Sequence, residues 1–407
     1  MLSEILHLLS NNRWFALLSV AYLLSTIGSG LTQVVVYGEL AQRHASPLGF
    51  SLAYVFSILP AVFALHIGKR LLERMRPISI LVISEAVGAL GVVIPFAALR
   101  FDSVDLLVAS SLLPSISVGI GVPAYSLLLK RGFVDKDFAT VSAIESISLS
   151  SHIILGVGVG TLLFPFLARD VYLGVDLLTY VVSIGLLIAS KGSAPVIVNE
   201  IDKHVPASDA KGTQNSVRPV VYWPIPVVAA LTSPAMALLP AAGYQFSPVT
   251  WIDMSLNASL ALLLARGASQ LLGPALIKHR TVDELYKNKW AMAAYFAGFS
   301  TLYLVALASS SLLVACLCVL TAHILAYALS ATVQTALFKK FPERDLVAVS
   351  SRTYQVQIIS ASLPGLLAGL MAESTGILGS YVGLTVIVVV VCFGFNITHS
   401  RRGCEEK

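Results

Sequence analysis

Seven ionisable side chains interrupt long apolar runs of the sequence: Glu85, Glu145, His152, Asp176, Asp253, Arg266 and His323. A charge at the middle of a membrane span costs roughly 2.5–3.5 kcal/mol on insertion scales, so each is a candidate for chemistry. Glu145 and His152 stand two helical turns apart, which puts them on one helix face about 10 Å from each other. A desolvated carboxylic acid near a histidine is what a reversible proton carrier needs, and Asp253 is the third candidate for that role. Both residues also suit plainer duties. Glu145 can reach an interface or pair with Lys130 or Arg352, and His152 can bond a main-chain carbonyl. Arg266 either snorkels to the near end of its run or offers an anionic group a charge-assisted bond. His323 reads as a helix-packing histidine or as a pocket-lining one. Thr32, Gln33, Tyr125, Gln334, Tyr354 and Gln357 add hydroxyl, amide and aromatic groups. Such a lining suits an amphipathic organic molecule better than a small inorganic ion, with interhelical hydrogen bonding as the competing explanation.

The elements that must position these groups follow from composition. Of 407 residues, 56% are hydrophobic and 12% charged, and the mean hydropathy is +0.82. A soluble protein carries about 25% charged residues, so a soluble globule and a disordered chain are both excluded. The net charge of +5 falls in short clusters between apolar runs, unlike the basic face of a nucleic-acid binder. Cys316, Cys318 and Cys392 lie in apolar runs and Cys404 in the charged tail, none at metal or redox spacing. No phosphate-binding G-x-x-x-x-G-K-[ST] loop occurs, and no cofactor or metal is expected.

About 20 apolar residues cross the ~30 Å hydrocarbon layer. Read that way, twelve spans fall near 14–37, 47–67, 78–99, 104–129, 140–165, 171–190, 219–242, 250–273, 290–308, 311–338, 347–372 and 376–398. Ahead of them Leu2, Ile5, Leu6 and Leu9 make an apolar stripe expected to lie on the membrane surface. With the N-terminus inside, 23 of the 27 Lys and Arg side chains fall on the inner side. Only Arg43, Arg100 and Arg169 fall outside, and Arg266 lies within a span. That asymmetry is the positive-inside rule, and it predicts two cytoplasmic termini.

The segment Arg131-Gly-Phe-Val-Asp-Lys-Asp-Phe-Ala-Thr-Val-Ser142 returns 208 residues later as Lys339-Lys-Phe-Pro-Glu-Arg-Asp-Leu-Val-Ala-Val-Ser350. Carried along the chain, the shift lays spans one to six on seven to twelve. Six is even, so both halves insert the same way, a recognised plan for transporters. The expected domains are therefore a six-helix bundle over 1–190, a polar cytoplasmic linker over 191–218, and a second six-helix bundle with a short tail over 219–407.

This pattern resembles the major facilitator superfamily over the whole length. Gly68-Lys-Arg-Leu-Leu-Glu73-Arg74-Met-Arg76 stands where that family carries a Gly/Asp/Arg-rich motif, with the acid one position late and the second glycine missing. It supplies the gating-loop candidates Gly68, Glu73, Arg74 and Arg76. Leu155-Gly-Val-Gly-Val-Gly160-Thr looks like the glycine-rich motif of the family's antiporters, and Leu363-Pro364-Gly365-Leu-Leu-Ala-Gly369 is its counterpart in the second half. Close helix packing is the plain reading of these glycines. The general texture is similar to bacterial drug and siderophore exporters.

The resemblance implies an all-α integral membrane fold, twelve helices in two pseudo-symmetric bundles. It implies a secondary active transporter of an amphipathic small molecule, working by alternating access and exporting against protons. Its setting would be the bacterial inner membrane, with the lipid bilayer as surroundings and a monomer as the unit. In that fold Glu85 and Asp176 sit on peripheral helices and read as structural hydrogen-bonding groups. An uptake carrier or lipid flippase of the same fold is the near alternative, and an intramembrane enzyme the distant one.

Overall fold

The structure is a computed structural model that describes residues 2–133, 140, 141, 144, 148, 151–193, 221–246, 249–251, 254–256, 258–276, 281, 284, 285, 287–341 and 343–405. The apolar runs become helices whose ends are set by punctuation residues. In the first half these are α1 (Leu2–Asn11), α2 (Arg13–Gln42), α3 (Pro47–Leu72), α4 (Pro77–Arg100), α5 (Val104–Ala109) and α6 (Leu112–Gly132). A π-helical segment, His152–Gly158, then runs into α7 (Val159–Leu163), and α8 (Arg169–Ser190) follows. The second half holds α9 (Pro224–Ala242), α10 (Ala258–Leu276), α11 (Lys289–Ala308), α12 (Leu312–Lys340) and α13 (Glu343–Glu405). Pro47, Pro77 and Pro224 each open a helix at a position whose amide has no helical partner anyway. Asn288 caps α11 by accepting from the amides of Trp290 at 3.0 Å and Ala291 at 3.3 Å.

Nine helices among the described residues are long and apolar enough to cross a membrane, and two shorter apolar ones fall at 152–163 and 258–269. The twelfth comes from α13. At Gly376 the backbone turns to φ 74° and ψ 170°, a conformation that is strained for any residue but glycine. Beyond it the chain reverses, because the Ser380 hydroxyl donates to the Ala368 carbonyl at 2.7 Å. Twelve residues of straight helix would separate those positions by about 18 Å. The eleventh and twelfth runs are therefore two segments of α13 that pack on each other.

Three local departures from the sequence reading have physical causes. The fourth run breaks at Ser110–Ser111 into α5 and α6. Pro114 lies in the first turn of α6, and a proline ring cannot follow the carbonyl of a continuous helix four residues earlier. The eighth run starts as an antiparallel hairpin, β1 (Val249–Trp251) against β2 (Met254–Leu256), and turns helical only at Ala258. The β-branched and aromatic residues Val249, Thr250 and Trp251 suit a pleated strand. Helix α1 also does more than lie on a surface. Leu8 is buried against Trp14, Phe15 and Phe133, while Leu6 is exposed.

The chain forms two compact units, one of Met1–Val36 with Phe56–Val220, the other of Tyr37–Val55 with Val221–Lys407. In the first, small residues let helices touch. A side chain on Gly30 would meet the Gly156 backbone at 2.8 Å, and one on Gly119 the Ala61 carbonyl at 2.5 Å. In the second, residues 37–55 pack with the second half of the sequence through polar contacts. The Tyr244 hydroxyl lies 3.1 Å from the Leu40 carbonyl and 2.9 Å from that of Ala45. The Leu48 amide donates to Glu373 Oε1 at 3.1 Å. Helix pairing repeats between the halves: α4 lies on α6 as α11 lies on α12, and α2 meets the fifth run as α9 meets α13.

Candidate functional site

In the first unit, α2 is the spine of the polar groups. On one of its faces, His152 Nδ1 lies 2.7 Å from the Thr26 carbonyl and Nε2 lies 3.1 Å from Gln33 Oε1. The π turn that starts at His152 places the ring there, and the Gly30–Gly156 contact brings the two helices close enough for it to reach. With both ring nitrogens facing oxygens, the cationic imidazole has a proton for each. A half-turn of the Gln33 amide would present its NH2 instead and suit the neutral ring. The site can thus satisfy either charge state.

The adjoining face of α2 points elsewhere. Ser25 donates to Glu85 Oε1 at 3.4 Å, Ser29 lies 3.0 Å from the Tyr180 hydroxyl, and Thr32 donates to Asp176 Oδ2. The sequence reading sets Thr32 beside Gln33 in one pocket. The structure instead assigns it to Asp176 on α8. Tyr125 of α6 stacks on Tyr22 of α2, ring centres 5.6 Å apart and planes 23° off parallel. Helices α4 and α6 are locked by reciprocal hydrogen bonds, Ser84 to the Ser117 carbonyl and Ser117 to the Ser84 carbonyl, both 2.7 Å. Sequence reasoning misses Ser25, Ser29, Tyr180 and Ser84. A signal exists for the first two, since Ser25, Ser29 and Thr32 repeat at helical spacing.

The gating-loop candidates lie at the end of α3. Gly68 packs against α6, where a Cβ would meet the Ile120 carbonyl at 2.5 Å, while Glu73, Arg74 and Arg76 are exposed. Glu145 and Asp253 lie outside the described residues.

In the second unit, His323 of α12 is 5% exposed and sits 2.5 Å from the Tyr303 hydroxyl of α11. Phe299 meets its ring edge-on, centres 6.0 Å apart. Half-buried Arg266 of α10 lies close enough to Tyr37, Tyr54, Tyr303 and His323 to act on each electrostatically. No carboxylate pairs with it among the described residues. Gln334 is exposed on α12, while Tyr354, 40% exposed, and half-buried Gln357 share a face of α13. Among the described residues, no group of three or more His, Cys, Asp or Glu side chains is placed to hold a metal ion.

No family model matches the sequence. An uncharacterized 29.9 kDa protein in the crtE 3′ region of Pseudescherichia vulneris is 35% identical over 68 residues, 17% of this chain. The chain spans about a quarter of the length of that relative. Solved structures are similar over nearly the whole of this chain. An auto-inhibited POT family peptide transporter aligns at a TM-score of 0.69 and 12% identity, covering 96% of this chain and 97% of its own. The nucleoside transporter NupG aligns at 0.66 and 13%, covering 94% and 98%. The xylose transporter XylE from E. coli, in its inward open conformation, aligns at 0.61 and 12%, covering 93% and 95%. At such identities the likeness establishes the fold. This chain has the multi-pass helical fold of the major-facilitator type that these transporters share.

Proposed function

We propose that this protein is a proton-coupled secondary transporter, built of a 1–190 bundle, a 191–218 linker and a 219–407 bundle, that exports an amphipathic organic small molecule of the drug or siderophore kind from a bacterial cytoplasm. The observation that carries the reading is His152. It is a titratable ring inside a span of a transporter fold, held between Thr26 and Gln33 so that either charge state finds hydrogen-bond partners. Protonation changes what Gln33 must present, and so biases the packing of the fifth span on α2. Glu145 and Asp253 are the accompanying coupling candidates. Arg266, set among tyrosines without a carboxylate partner among the described residues, would receive an anionic group of the substrate. Gln33, Tyr125, Gln334, Tyr354 and Gln357 would contact its polar and aromatic parts.

The test is flux in proteoliposomes under an imposed pH gradient, with amphipathic carboxylates and catecholates as trial substrates. Accumulation that collapses with an uncoupler supports the proposal. Movement that ignores the gradient, or bilayer lipid moved in place of solute, overturns it in favour of a facilitator or a flippase.

A further inference from the structure

The face of α2 beside the His152 contact leads to a second titratable group of side chains, all within the first unit. Asp176 of α8 is 1% exposed. Thr32 donates to its Oδ2, and Thr179 donates to its main-chain carbonyl at 2.7 Å. Its Oδ1 is buried without a hydrogen-bond partner and is turned toward Gly28, where a Cβ would come within 2.4 Å of it. Glu85 of α4 takes Ser25 on Oε1 at 3.4 Å and faces Ser183 of α8, and its Oε2 is also buried without a partner. Among the described residues, the titratable groups around the pair are the two acids themselves, Tyr180 on α8 and Tyr22 on α2. No Lys, Arg or His among the described residues faces either carboxyl.

Two carboxylates with no cation beside them among the described residues, each with a buried oxygen that has no hydrogen-bond partner, are an expensive arrangement for helix packing alone. A proton removes the charge and turns an orphan acceptor into a donor that can seek one of the nearby hydroxyls. The approach of α2 to α8 at Gly28 leaves no space for a hydrated metal ion. We infer that Glu85 and Asp176 form a proton-binding pair that takes up at least one exchangeable proton as the packing of α2 on α4 and α8 opens and closes. The proton comes from water when that face opens and returns to water when it opens again, with no other bond made or broken. The role of this proton in coupling rests on the transporter reading; its presence does not.

The experiment is infrared spectroscopy of the full-length purified chain in lipid membranes, titrated over pH in water and in deuterium oxide, beside Glu85→Gln, Asp176→Asn and the double variant. The expected result is a protonated-carboxyl carbonyl band in the unaltered protein that shifts in deuterium oxide and fades as pH rises. Each single variant should lose part of it, and subtracting the double variant, which keeps the other Asp and Glu of the chain, should isolate the titrating component due to the pair. Absence of a titrating band in the unaltered protein overturns the inference even if the variants fail to fold. So does a band untouched by the double variant, or one displaced by sodium at constant pH, which would mark a cation site. A titrating band in a protein whose flux ignores the pH gradient would refute coupling while leaving the pair intact. Gradient-driven flux with no band would refute the pair and spare the transporter.

Discussion

His152 and His323 illustrate how two histidines in apolar runs come to different uses. His323 is buried beside the Tyr303 hydroxyl and boxed by Phe299, so its surroundings hold it rather than leave it open. Tyr303→Phe should lower stability by about 1–3 kcal/mol, because it strands a buried ring nitrogen. Thermal unfolding in detergent would measure that. A null effect would show that the contact contributes nothing net. His152 is half-buried and faces groups that can rearrange. His152→Ala should bring gradient-driven flux down to the level seen without a gradient, while passive binding of substrate persists. Unchanged flux would exclude it from coupling. The sequence makes these two residues visible because each is polar in an apolar run. It does not show their partners, since Tyr303 comes from α11 and Gln33 from α2, 20 and 119 residues away respectively. By the family resemblance Asp176 reads as a peripheral structural group; its bond from Thr32 and its buried orphan Oδ1 are visible only in three dimensions.

At the level of elements, apolar length suffices to find nearly every span, and the exceptions are decided locally. Pro114 splits the fourth run, three β-favouring residues postpone the eighth helix, and one glycine folds α13 back on itself. The space around Gly376 is open, so Gly376→Ala should cost only its backbone strain, about 1–3 kcal/mol. Gly30→Leu should cost a similar ~1–3 kcal/mol for a different reason, since the Gly156 backbone stands in the way. The two separate by function. The Gly30 change should also abolish the His152–Gln33 contact and the flux that depends on it, whereas the Gly376 change should leave flux per folded molecule intact. Equal loss of flux in both would refute this assignment of roles.

For the whole molecule, charge asymmetry carries the most information, and it can be measured directly. With both termini inside, Cys404 should resist a membrane-impermeant maleimide in intact cells and react once the membrane is opened. Labelling in intact cells would reverse the topology. The 208-residue repeat foretells two halves of like design, and helix pairing recurs between them. It does not foretell that residues 37–55 group with the second unit, because Tyr244 and Glu373 reach them through single polar contacts that no periodicity records. The π-helical turn from His152 to Gly158 has a consequence at this scale. A wider coil stores a surplus residue, a rare irregularity that is met mostly as a single turn inside an α-helix and often at functional sites. Were this one to travel past His152, the imidazole would swing by about 100° around the axis while the rest of the span stayed in place. A click of that kind re-aims one side chain without hauling an entire bundle.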